Sequence, residues 1–160
     1  MTGMILRAVV GLVFSSALAS IAPSTHAAQC SLSKSAGSYG FTLIGTVILP
    51  TGPIPIAAVG RADLDSGGNA SGTESRSVGG GFANETFTGT YTVNTDCTGS
   101  ATLNFYESGR LVRTSVLTVV FDNNEREIRM VQKSLQLPNA AFLPVVITVE
   151  ARRISVEDDD

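Results

Sequence analysis

Between Glu85 and Asn94 the sequence alternates without a break. Phe87, Gly89, Tyr91 and Val93 fall on one parity, and Thr86, Thr88, Thr90 and Thr92 on the other. Only an extended strand gathers each set on its own face; a helix would scatter both. From Tyr39 onward the chain keeps this period of two, punctuated by turn residues. Tyr39 to Leu49 carries Phe41, Leu43, Val47 and Leu49 on one face and ends at Pro50-Thr51-Gly52-Pro53. Ile54 to Asp65 places Ile56, Ala58, Gly60, Ala62 and Leu64 opposite Arg61, Asp63 and Asp65, before a Ser66-Gly67-Gly68-Asn69 turn. Ala70 to Val78 is a more polar strand, and Gly79-Gly80-Gly81 separates it from the Glu85–Asn94 run. Ser100 to Glu107, Leu111 to Phe121, Arg126 to Leu135 and Leu143 to Ile154 complete the series, with Gln136 to Phe142 a loop around Pro138.

About eight strands joined mostly by short turns predict sequential antiparallel neighbours. The expected fold is all-β, a closed or nearly closed antiparallel up-and-down barrel over residues 39–155, because closure removes both sheet edges. A β-sandwich is the rival architecture; it usually needs longer crossovers, and only Gln136 to Phe142 offers one. An outer-membrane barrel is disfavoured, since such barrels carry aromatic girdles and this chain has no Trp.

Ahead of the strands, Arg7 and the apolar run Ala8 to Ala22 read as a secretory signal peptide over residues 1–27, with cleavage before Ala28 and a secreted or periplasmic destination. The apolar run is short for a membrane span, and no integral span is expected after cleavage. Residues 28–38 read as an N-terminal leader and 156–160 as an acidic tail. Cys30 and Cys97 are then the cysteines of an exported domain, and a Cys30–Cys97 disulfide is expected. Closing so long a loop contributes about 4 kcal/mol in the chain-entropy picture.

The stretch Val59 to Phe105, and within it Gly89-Thr90-Tyr91-Thr92-Val93-Asn94 followed by Asp96-Cys97-Thr98-Gly99, resembles a segment recurring in small uncharacterised secreted bacterial β-barrel proteins. More loosely, the strand number and order are similar to allene oxide cyclase-like and calycin-like barrels. That resemblance implies binding of apolar ligands or cyclisation without a cofactor. None of those families' functional residues match positions in this chain, so none are carried over.

The chemistry open to the chain is narrow. The single histidine, His26, lies in the expected signal peptide. Without it and without a free thiol, Ser-His-Asp and Cys-His catalysis and most metal sites lose their essential groups. No metal and no organic cofactor is expected. The Gly67-Gly68 and Gly79-Gly80-Gly81 clusters lack a phosphate-loop lysine, and the acidic turns lack EF-hand spacing. Balanced charge with no basic patch makes nucleic acid a poor partner. Outward aliphatics at Ile44, Ile48, Val112, Val116, Val120 and Val146 leave a homo-oligomer open.

What remains is the inner face. Phe41, Leu43, Phe87, Tyr91, Leu103, Phe105, Ile128 and Met130 suit a ligand cavity and a filled core alike. Gly45, Gly60 and Gly89 subtract volume there and argue for the cavity. Glu74 and Arg76 share a strand face; pointing inward they would orient a ligand's polar end, and pointing outward they would be an exposed pair. The expected ligand contacts are therefore Glu74, Arg76, Phe87, Tyr91, Phe105 and Met130. The expected function is binding of a small hydrophobic molecule. A cofactor-free cyclase or isomerase and a rigid interaction module, such as a protease inhibitor or surface component, are the alternatives.

Overall fold

The computed structural model describes residues 29–154. The expected signal peptide, its cleavage point and the acidic tail lie outside the described residues. A single helical turn, α1 (Leu32–Ser35), precedes β1 (Gly37–Leu49), β2 (Gly52–Leu64), β3 (Asn69–Val78), β4 (Gly81–Val93), β5 (Thr98–Glu107), β6 (Arg110–Asp122), β7 (Glu127–Gln136), β8 (Phe142–Leu143) and β9 (Val145–Arg153). Strands β1 to β7 follow one another antiparallel around the sheet. β9 then pairs with β7 on one side and β1 on the other, which closes an eight-stranded barrel. The sheet is one continuous ladder, so the sandwich alternative falls away.

β8 is the extra strand, a two-residue pairing with β7. Pro144 separates it from β9: proline has no N–H for the ladder, and its carbonyl instead accepts from the Ile48 N–H at 2.8 Å. The same logic explains two prolines inside β2. The β2–β3 ladder begins only at Ile56, so Pro53 and Pro55 stand where β2 has one neighbour, β1.

The alternation at Glu85–Asn94 is realised as expected. Phe87 and Tyr91 are buried and all four threonines are exposed. The strand also starts earlier, at Gly81. Two register shifts change the parity elsewhere. In the β6–β7 ladder, Leu117 pairs with Gln132 and Val116 with Ser134, so Lys133 is an extra residue. The bulge moves the inward set of β7 from Ile128 and Gln132 to Leu135, all three buried. Of the outward aliphatics, Ile44 and Val146 are 60% and 66% exposed, whereas Val112 and Val116 are half-buried.

The two ends of the barrel differ. At one end Cys30 and Cys97 form a disulfide with Cα atoms 5.0 Å apart, and α1 lies over the opening. Tyr39, fully buried, has its hydroxyl within donating distance of the Ser35 and Glu125 carbonyls, at 2.8 and 2.7 Å, its one proton shared between them. Arg153 donates to the Ala36 and Lys34 carbonyls. Glu125, at positive φ in the β6–β7 turn and 1% exposed, accepts from the Ser31 N–H. The other end, formed by the β1–β2, β3–β4, β5–β6 and β7–β8 connections, has no such cover among the described residues.

Candidate functional site

The barrel interior is built from the inward parity of each strand. Three rings run across it: Phe41 on β1 meets Phe87 on β4 at 6.1 Å between centroids, and Phe87 meets Phe105 on β5 at 5.3 Å. Their placement depends on glycine. Gly60 faces Phe41 and Gly72 faces Phe87 across the ladder. A Cβ at either would lie 2.4 Å from the tip of the opposing ring and closer still to backbone oxygen. The same holds at Gly45 against Ile147 and at Gly89 against the Thr102 carbonyl. These glycines therefore do not open the lumen, as the sequence suggested; neighbouring rings and backbone occupy the space they leave.

A cavity of about 80 Å³ remains, lined mainly by apolar side chains, Phe87, Phe105, Leu103, Met130 and Tyr91 among them. The polar groups on its wall include Glu74 and Arg113. That volume holds several waters and falls short of the roughly 150 Å³ hole that admits benzene. At the uncovered end lies a second, apolar pocket of about 220 Å³, lined by Val47, Leu49, Ile54, Val78, Leu143 and Arg76 among others. Ile56, Arg113 and Leu135 line both spaces and stand between them.

The charged part of the site is a four-residue cluster. Glu74 on β3 and Glu85 on β4 are cross-strand partners, both 3% exposed. Arg113 on β6, 8% exposed, reaches across the lumen to them. Its Nη2 donates to Glu74 Oε1 at 2.5 Å and its Nη1 to Glu85 Oε2, while its guanidinium stacks 3.8 Å over the Phe105 ring. Arg76 Nε donates to Glu85 Oε1 at 2.5 Å. Glu74 Oε2 is buried without a partner.

The two carboxyls are pushed apart. Burial raises Glu74, and the single contact with Arg113 does not offset it. Burial also acts upward on Glu85, but Arg113 and Arg76 together outweigh it and hold Glu85 below the usual carboxylate range. Two carboxyls displaced in opposite directions across one arginine can act as a general acid and base, or can fix the polar end of a bound molecule.

Of the six residues the sequence singles out, Glu74, Phe87, Tyr91, Phe105 and Met130 line the inner cavity and Arg76 the outer pocket. Glu74 and Arg76 are not bonded to each other in the described hydrogen bonds. The Tyr91 hydroxyl is engaged at the covered end, donating to the Asp65 carbonyl at 2.6 Å. Glu85 and Arg113, which complete the cluster, were not singled out. Both were within reach of parity: Glu85 precedes Phe87 by two, and Arg113 precedes Ser115, Leu117 and Val119 on the buried face of β6.

No protein-family model and no curated protein matches the chain. Among solved structures, the chain is similar to the redesigned β-barrel mFAP1 bound to DFHBI, with 15% identity and a TM-score of 0.50 over 77% of this chain and 98% of that one. It is also similar to EF1p2_mFAP2b bound to DFHBI, with 13% identity and a TM-score of 0.53 over 78% and 100%. At these identities the likeness speaks to the barrel fold.

Proposed function

We propose that the protein is an exported β-barrel that binds a small hydrophobic molecule in its lumen without a cofactor. The observation that carries this reading is the apolar inner cavity backed by an apolar pocket at the uncovered end, with Ile56, Arg113 and Leu135 lining both. Each space alone is small. Taken together, they approach the lower end of the roughly 300–1,000 Å³ range of small-molecule sites, with Arg113 held by Glu74 and Glu85 at their junction. Phe87, Phe105 and Met130 would contact the apolar body of the ligand, with Tyr91 at the far wall. Glu74 would meet its polar end, and Arg76 would sit at the entrance. That barrels of similar fold were solved with DFHBI bound supports the reading.

The test is titration with N-phenyl-1-naphthylamine, a neutral dye that brightens in apolar surroundings. Saturable one-to-one binding is expected. Phe87→Trp, which adds bulk inside, should weaken it at least about tenfold, and Thr88→Trp on the outer face should not. If the dye does not bind, the lumen reading fails and a rigid interaction module takes its place.

A further inference from the structure

Glu74 Oε2 is the unpartnered atom of the ion cluster. Its carboxyl is fixed at one end by Arg113, its side chain is 1% exposed, and it lines the inner cavity beside Phe87 and Phe105. A buried carboxyl oxygen without a partner is costly, and burial already raises this group. The cluster leaves one hydrogen-bonding position unfilled on a residue that lines an otherwise aromatic and aliphatic space.

We propose that the lumen selects neutral apolar molecules carrying one hydroxyl group, and that Glu74 Oε2 takes that hydroxyl. This rests on the lumen being a ligand site. Neutrality follows from the charge balance with Glu74 ionised: Glu74 and Glu85 are then matched by Arg76 and Arg113, so a further buried charge of either sign has no counterion. An anion would face the Glu74 carboxyl, and a cation would face Arg113. The hydroxyl follows from the atom. It donates to an ionised carboxylate oxygen and accepts from a protonated one, so it serves in both states of Glu74. A carbonyl serves only one of them. The ring series Phe41, Phe87 and Phe105 suits an aromatic body, and flexible Met130 can yield room for it.

Phenol, toluene and benzoate share nearly one size and differ in the group presented. Calorimetric titration of the folded protein should show phenol binding at least about tenfold tighter than toluene, with benzoate weakest. Glu74→Leu leaves Arg113 its contact with Glu85 and should abolish the preference for phenol while retaining toluene. Equal binding of phenol and toluene in the unsubstituted protein overturns the proposal, with no variant needed. So does benzoate binding tightest, or a phenol preference that survives in a folded Glu74→Leu. If N-phenyl-1-naphthylamine binds and none of the three does, the selectivity is wrong and the lumen reading stands. If the dye fails as well, both fall.

Discussion

Two carboxyls facing each other across one ladder rung behave oppositely because their counterions differ. Glu85 receives both Arg113 and Arg76; Glu74 receives one oxygen's worth of Arg113 and leaves the other oxygen bare. The pH dependence of stability follows. With its folded pKa raised, Glu74 binds a proton that the unfolded chain has already released, so its contribution falls as pH rises from the ordinary carboxylate value through the raised one. Glu85 acts in the opposite sense and only below the ordinary value: its contribution is present above that value and is lost as pH falls through the lowered one. Asp63, Asp65 and Asp96 are also lowered, and Tyr39 and Tyr91 are raised above the usual tyrosine value, so they act outside the intermediate window. Denaturant midpoints measured from about pH 5 to 8 should therefore decline, and Glu74→Gln should flatten the decline. A slope unchanged by the substitution would mean that Glu74 ionises as freely in the folded chain as in the unfolded one.

At the level of the strand, parity carried most of the information. The threonine face of β4, the inward placement of Phe87 and Tyr91 and the order of the strands all followed from it. It failed at three kinds of place. Bulges reset it, as at Lys133, where one extra residue moves the inward set to Leu135; no local sequence mark separates a bulged strand from a regular one. Charge obscured it, since parity puts Glu85 and Arg113 on the inner face but the partners that hold them there lie on other strands. Glycine misled it, because Gly45, Gly60 and Gly89 looked like missing volume, whereas neighbouring side chains and backbone fill that space, as they do at Gly72. Gly72→Ala should accordingly be felt strongly: the new methyl meets the Arg61 carbonyl at 2.1 Å as well as the Phe87 ring, and backbone must move. A loss of about 1–3 kcal/mol by urea unfolding is expected, the range for overpacked cores. A neutral or stabilising result would show that the β2–β4 wall yields more easily than this packing implies.

For the whole molecule, closure was legible because eight short-linked strands leave few other ways to remove both edges. The asymmetry of the ends was not. The leader reads as loose chain, yet it supplies α1, the Ser35 and Lys34 carbonyls that receive Tyr39 and Arg153, and half of the disulfide. The disulfide and the Arg153 contact join residues far apart in sequence, so no window of sequence reveals them. The proposed export and the crosslink share one measurement. Protein recovered from its native host should have the intact mass of a chain starting at Ala28 with two hydrogens missing, and reduction should cost up to about 4 kcal/mol of stability. A mass that retains residues 1–27, or two thiols open to labelling, would contradict the respective half.

Among the described residues, a barrel covered at one end has its opening at the other. With α1 stitched across one end by Cys30–Cys97 and by Arg153, a molecule held in the lumen must leave by the way it came, past Arg113 and the apolar rim of Val78 and Leu143. A second molecule cannot push the first out from behind. If the lumen holds the proposed ligand, exchange is sequential, with departure preceding the next arrival past the Arg113 guanidinium.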